Sequence, residues 1–422
     1  MSPADAGAAA GPPLRARLGL PRLLRRAAAG LLAASLGLGP AAPAQPAGAA
    51  RPLARLPALG LAADGVTLSG LSSGAYMAGQ FQVAHAASLA GAALLAGGPY
   101  GCSRGSVSTA MYQCSCPAHP DAVQRLRNLI PGAGCSVLAP GALAVFADAA
   151  LLANQGAIDD PSQLARHRVW LFSGGHDQVV VPALVEAAQA FYHRHGVPAA
   201  QLHHERVANA GHGLPTPDGP VACALTATPY LLRCPGQDAA GELLAWLYGA
   251  TPGAPLMPPV AARLGAAQGA GHTGLQRFSQ QPYRQAGVFD GLDDSGWLYL
   301  PAACAAGPGA ATCRLHVVFH GCLQGQSASG PGGRAIGAQF VAGAGYNRWA
   351  EANRIVLLYP QVRASRAARP GASFQLNPEG CWDFWGYTDP AESLGGPQRR
   401  FATRQAPQVA AVKRMVDDLL RR

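Results

Sequence analysis

Lysine is almost missing from this chain: Lys413 is the sole one in 422 residues. Positive charge is therefore nearly all arginine, and the arginines are scattered. Charged residues make up 13% and aromatics 7% of the sequence. There is no Lys/Arg block and no aromatic platform interleaved with one, which argues against a nucleic-acid partner. The net charge of +10 overstates the basic character. Arg15, Arg17, Arg22, Arg25 and Arg26 cluster near the N-terminus with only Asp5 opposing them, and the remainder carries about +6. No later stretch is long and apolar enough to span a bilayer, so stable membrane insertion is not expected. No Cys/His pair with zinc spacing accompanies Cys114-Ser115-Cys116, so neither a metal nor another cofactor is expected. No internal repeat is evident, which excludes a solenoid.

What is present begins with an export signature. Residues 14–44 combine an Arg-rich start, an apolar stretch Ala27–Leu38 and an Ala42-Pro43-Ala44 site of the A-x-A kind. They make residues 1–44 a secretory signal peptide, so the expected location is secreted, extracellular or periplasmic. The cysteines agree. There are ten, at positions 102, 114, 116, 135, 223, 234, 304, 313, 322 and 381. An even, high count after a signal peptide reads as a disulfide set. Cys223/Cys234 and Cys304/Cys313 are close enough in sequence to bridge. The remaining pairings, including those of Cys102, Cys114, Cys116 and Cys135, stay open.

After the signal, residues 45–422 read as one catalytic domain. Strand-like runs at Gly65–Ser69, Ala92–Ala96, Arg168–Phe172, Leu202–Val207, Trp297–Leu300, Leu315–Phe319 and Ile355–Tyr359 alternate with helical patterns at Ala75–Leu89, Val181–His195, Glu242–Tyr248, Tyr346–Asn353 and Gln408–Leu420. Gly249–Gly274 is linker-like. The alternation predicts an α/β fold with a mainly parallel central sheet flanked by helices.

One pentapeptide carries the chemistry. Gly70-Leu71-Ser72-Ser73-Gly74 is a G-x-S-x-G between a predicted strand and a predicted helix, the context in which this pattern forms a nucleophile elbow. Its glycines allow the tight turn that lifts Ser72. A second match, Gly101-Cys102-Ser103-Arg104-Gly105, lacks that strand–helix context and reads as a chance match in a loop. An acyl-transfer serine needs a base and a group that orients the base. Asp177 follows the strand Arg168–Phe172, and His212 follows the strand Leu202–Val207. The order Ser, Asp, His is that of α/β-hydrolases.

One oxyanion donor should be the Ser73 backbone N–H. The second usually comes from an HGG-like loop ahead of the nucleophile. None precedes Ser72. It stands far downstream, as His320-Gly321-Cys322 after the strand Leu315–Phe319. The simplest account is a circular permutation, with the old termini joined through Gly249–Gly274. The helix Gln408–Leu420 would then lie where it normally feeds the elbow strand.

Gly70-Leu71-Ser72-Ser73-Gly74-Ala75-Tyr76-Met77, His320-Gly321-Cys322, and Asn377-Pro378-Glu379-Gly380-Cys381-Trp382-Asp383-Phe384-Trp385-Gly386-Tyr387 occur in this order. Together they resemble the secreted single-domain poly(3-hydroxybutyrate) depolymerases, which have a circularly permuted α/β-hydrolase fold. The resemblance runs from about Leu61 to the C-terminus. It implies a serine esterase with Ser72, Asp177 and His212 as triad and the Ser73 and Cys322 N–H groups as oxyanion hole. The family's substrate-contacting tryptophan falls on Trp382, and Trp385 and Tyr387 are further candidate contacts. The family motif often reads Cys-Trp-Asp-Trp-Trp, where this chain has Phe384. A Cys322–Cys381 bridge would hold this aromatic run beside the oxyanion hole. The expected substrate is the polyester or its hydroxyalkanoate oligomers, acted on by a monomer. The alternative is a carboxylesterase for feruloyl or acetyl esters on the same fold.

Overall fold

The computed structural model describes residues 52–116, 138–249, 255–264, 273–305, 313–365, 377–389 and 400–422. The expected signal peptide lies outside them, as do residues 250–254 and 265–272 of the linker-like stretch. Strand β1 (Thr67–Leu71) leads directly into helix α1 (Ser73–Ala84). Then come β2 (Gly91–Leu95), α2 (Val107–Tyr112), α3 (Pro140–Ala153), β3 (Arg168–Gly174), α4 (Pro182–Arg194) and β4 (Leu202–Val207). Three short strands, β5 (Leu214–Pro215), β6 (Val221–Ala222) and β7 (Leu231–Arg233), form a separate small sheet before α5 (Ala239–Tyr248). The second half supplies β8 (Gly274–Ser279), β9 (Ser295–Leu300), β10 (Arg314–Phe319), α6 (Gln339–Gly343), α7 (Tyr346–Asn353), β11 (Ile355–Tyr359) and α8 (Pro407–Leu420).

The main sheet has the order β4-β3-β2-β1-β10-β11-β9-β8. Strands β4 through β11 in that order are parallel, and β9 and β8 add to the edge antiparallel. Its central strands are short apolar runs because both faces are covered. Successive residues of β10 and β11 alternate between two cores. Val317, Phe319, Val356 and Leu358 face the side of α1 and α8. Val318, Leu357 and Tyr359 face the side of α5 and α7. Helix α8 lays Val409, Val412, Met415, Val416 and Leu419 into the first core at helical spacing. Each such fully buried side chain contributes about 1.5–3 kcal/mol.

Thr67 and Ser69 put hydroxyls into the middle of the sheet, which is tolerable only if they are bonded. His316 of β10 reaches both, at 2.7 Å and 2.8 Å, and the Tyr248 and Tyr346 hydroxyls join the same network. Burial pushes the His316 pKa down to about 3, so the imidazole stays neutral there.

The sheet makes the permutation visible. Counted from β8, strands of the chain's second half come first, and β1 follows β10 as their continuation. The segment ahead of β1 meets the end of α8 at that junction. The N–H groups of Leu59 and Leu61 bond Leu419 O, and that of Gly60 bonds Arg421 O at 2.9 Å. The end of α8 thus sits at the entrance to the elbow strand, as the sequence predicts.

Candidate active site

The elbow forms because β1 stops at the sheet's carboxyl edge with no residue between it and α1 except Ser72. Ser72 has φ 58° and ψ −122°, a strained backbone for a residue with a Cβ, costing on the order of 1–3 kcal/mol. The surroundings hold it there. Its N–H bonds Leu95 O at 2.9 Å, and its carbonyl takes the Ala75 and Tyr76 N–H groups at 2.8 and 3.1 Å. Both glycines are required by space. A Cβ on Gly70 would fall 2.1 Å from Gly74 O, and one on Gly74 would fall 2.4 Å from Phe319 O. Ser103, in the other pentapeptide, is fully buried and donates to the Phe384 carbonyl; it has a structural role.

Asp177 lies in the turn after β3 and is buried. One carboxylate oxygen accepts the Val179 and Val180 N–H groups at 2.8 and 2.9 Å. The other lies 2.8 Å from His212 Nδ1. A carboxylate can only accept, so the proton sits on Nδ1 and Nε2 keeps a lone pair. His212 is also held by its N–H bond to Thr226 Oγ1 at 3.0 Å. Ser72 and His212 border one cavity without a hydrogen bond between them; such contacts often tighten only around substrate. The neighbouring His176 is exposed.

The cavity measures about 310 Å³. Ser73, Cys322, Tyr76, Val180, Tyr230 and Leu323 also line it. Among its described lining residues there is no lysine or arginine, and Glu379 is the only carboxylate. A Cβ on Gly321 would come 3.3 Å from Ser72 Cβ, so the His320–Cys322 turn passes against the elbow. Neither the Ser73 nor the Cys322 N–H has a protein acceptor among the described residues. Both residues line the cavity beside Ser72. A larger cleft of about 650 Å³, bordered by Thr216, Leu231, Val260 and Arg348, contains none of the expected catalytic residues.

Four disulfides are described: Cys102–Cys114, Cys223–Cys234, Cys304–Cys313 and Cys322–Cys381. Cys116 is also disulfide-bonded. The Cys322–Cys381 bridge ties the aromatic segment to the oxyanion turn, as the resemblance implies. Glu379 stands beside these two sulfurs, but bridged sulfurs offer no thiolate to a metal.

The aromatic segment departs from expectation. Trp382 has no exposed surface and belongs to the core beneath the elbow. Its ring meets Phe319 edge-on at 5.0 Å, and the Trp382 backbone N–H donates to Ser73 Oγ at 3.3 Å. Tyr387 is buried too, its hydroxyl bonded to Cys381 O and to the Asn377 and Gln408 side chains. Neither is among the residues that line the cavity. Trp385 does line it, together with Phe384, which stacks on Tyr76 at 4.5 Å. Sequence reasoning missed Tyr76, Tyr230 and Leu323 as wall residues. Tyr76 alone carried a signal, one turn after the nucleophile on α1.

No family model matches the chain. The chain is 30% identical to the polyhydroxybutyrate depolymerase of Talaromyces funiculosus over 365 residues, 84% of this chain and 92% of that protein. The chain belongs to the polyhydroxybutyrate depolymerase family. A second member, the poly(3-hydroxybutyrate) depolymerase of Delftia acidovorans, is 35% identical over 396 residues. That match covers 93% of this chain but spans only 65% of the Delftia protein. Two solved structures of the family are similar at a TM-score of 0.63 and 26% identity, covering 87% of this chain and 98% of theirs. One is the depolymerase from Penicillium funiculosum. The other is a serine-to-alanine variant of a depolymerase complexed with an R3HB trimer.

Proposed function

We propose that this protein hydrolyses the ester bonds of poly(3-hydroxybutyrate) or its oligomers through an acyl-enzyme on Ser72. Ser72 Oγ attacks the ester carbonyl carbon while His212 Nε2 takes its proton and Asp177 keeps the ring oriented. The Ser73 and Cys322 N–H groups receive the oxyanion. The ester C–O bond then breaks, and the leaving hydroxyl end takes the proton from His212. Water, activated by the same histidine, releases the acid from Ser72. The observation that carries this reading is the union, at one cavity without lysine or arginine, of the elbow serine, the Asp177-bound histidine and two free N–H donors. An uncharged, apolar polyester needs no cationic clamp. Membership of the family and the R3HB trimer in a neighbour's structure support the substrate class. Trp385 and Phe384 are the proposed aromatic contacts.

Export through the signal at residues 1–44, with residues 45–422 as one monomeric catalytic domain, belongs to the same reading. The oxidised cysteines support it, and no helix among the described residues is long and apolar enough to cross a membrane. The test is purified protein with amorphous poly(3-hydroxybutyrate) and with trimeric hydroxybutyrate, identifying the acids released. Free 3-hydroxybutyrate or short oligomers are expected. Turnover of acetylated-sugar or feruloyl esters, with polymer and trimer untouched, would overturn the substrate assignment.

A further inference from the structure

The Cys322 N–H can serve an oxyanion only if its peptide is held in one orientation. That N–H and the Gly321 carbonyl belong to one planar trans unit and point in opposite directions. Whatever holds Gly321 O therefore aims Cys322 N–H. The group that holds it is His320, whose Nδ1 lies 2.7 Å from Gly321 O. At the other side of the ring the Val362 N–H donates to Nε2 at 3.2 Å. A carbonyl cannot donate and an amide N–H cannot accept. The ring is thus fixed as the neutral tautomer with its proton on Nδ1. We propose that His320 is a positioning residue for ester hydrolysis: its Nδ1–H, by anchoring Gly321 O, directs the Cys322 N–H at the oxyanion. This rests on the reading of Cys322 as an oxyanion donor.

Three further observations support it. The ring has no exposed surface and does not line the cavity, so it is not itself a proton carrier to substrate. It is locked in place: Trp382 packs at 5.7 Å, and a Cβ on Gly325 would come 3.0 Å from His320 Cε1. The near side of the turn is clamped as well. Gln324 Oε1 accepts the Gly321 N–H at 2.6 Å, while Gln324 Nε2 donates to Pro229 O at 2.8 Å. Burial holds the His320 pKa down to about 4, with the Gly321 bond and the Asp293 charge pulling the other way. The neutral form therefore persists at neutral pH.

The two faces of the ring can be tested apart. His320→Asn offers an amide N–H where Nδ1 stands and loses the acceptor for Val362. His320→Gln offers an acceptor where Nε2 stands and loses the donor to Gly321. Loss of one oxyanion donor costs about 10²–10³-fold in kcat, and misaiming it should cost about 10–100-fold. On a short soluble ester, His320→Gln should lose that factor in kcat with KM little changed. His320→Asn should stay near wild type in kcat although its unfolding temperature falls. Equal kcat in the two variants, or losses that follow unfolding temperature alone, would overturn the proposal. Ser72→Ala in the same assay separates the two levels. If it is inactive and His320→Gln is normal, only the positioning role fails. If Ser72→Ala remains active, the reading beneath it fails.

Discussion

Asp177→Asn is the sharpest test of how His212 is made into a base. The replacement is nearly isosteric, so the turn after β3 should fold unchanged. Its amide, however, has one acceptor and one donor end, and the structure decides which faces where. The Val179 and Val180 N–H groups, at 2.8 and 2.9 Å from one carboxylate oxygen, need an acceptor. They will keep the amide oxygen. The NH₂ is then turned toward His212 Nδ1, 2.8 Å from the other position. Donor facing donor is excluded, so the ring must move its proton to Nε2. In that tautomer it cannot take the proton of Ser72. Such a change in a triad costs about 10⁴-fold in kcat, equivalent to roughly 5.5 kcal/mol of barrier. The assay is initial-rate hydrolysis of a short aryl ester, with labelling of Ser72 by a fluorophosphonate measured in parallel. Both should fall together while the unfolding temperature holds. A folded Asp177→Asn protein retaining a tenth or more of wild-type kcat would refute the tautomer argument.

Other outcomes follow from the same geometry. Ser72→Ala should abolish ester hydrolysis and leave the fold intact, whereas Ser103→Ala should stay active but lose ~1–3 kcal/mol by orphaning the buried Phe384 carbonyl; the reverse pattern would mean the wrong pentapeptide carries the nucleophile. Trp382→Ala should lower stability by about 3–5 kcal/mol, as a core truncation does, and a soluble, equally stable variant defective only on polymer would contradict its burial. Trp385→Ala should weaken attack on polymer more than on a short ester, since ~100 Å² of lost apolar contact is about 2.5 kcal/mol; equal losses would remove Trp385 from the contact surface. Burial holds His85 and His167 at a pKa of about 4, below the unfolded value of about 6.5. The unfolded chain therefore binds protons first, and the unfolding temperature should fall as pH drops from about 6.5 to about 4; a flat profile across that window would count against it.

Much of this is legible in the sequence. The strand Ile355–Tyr359 has the bounds read from its apolar run, because a strand buried on both faces writes itself as such a run; the polar edge strand Leu202–Val207 also has the bounds read for it. The permutation was legible from an absence, the missing oxyanion loop ahead of Ser72, since that loop's chemistry has to come from somewhere. Helix α3 leaves little signal: Pro140–Ala153 is mostly alanine and leucine, and Asp148 is its one charged residue, so no polar spacing marks a face. Strand β8 was hidden at the end of a Gly/Ala-rich stretch that reads as linker. The aromatic run Trp382–Tyr387 misled for another reason. It is an irregular segment, so no period says which rings point inward. Asp383 organises it by accepting the Trp385, Gly386 and Tyr387 N–H groups on one oxygen. That turn buries Trp382 and leaves Trp385 at the cavity, and nothing in the order of residues announces it.

The pairing of β1 with β10 also sets a schedule for biosynthesis. Thr67 lies opposite His316 and Gly70 opposite Phe319, so the strand bearing the nucleophile waits for partners made far later. A nascent chain ending after β4 and the small sheet already contains Ser72, Asp177 and His212. It lacks the central neighbour of β1, the second oxyanion donor and the bridge from Cys322 to Cys381. At ~5–20 residues per second, the ribosome needs roughly 8–34 s between His212 and Cys381. During that interval the chain holds the three proposed triad side chains without the strand that pairs with β1, and on the proposed mechanism neither it nor a product terminated there cleaves an ester.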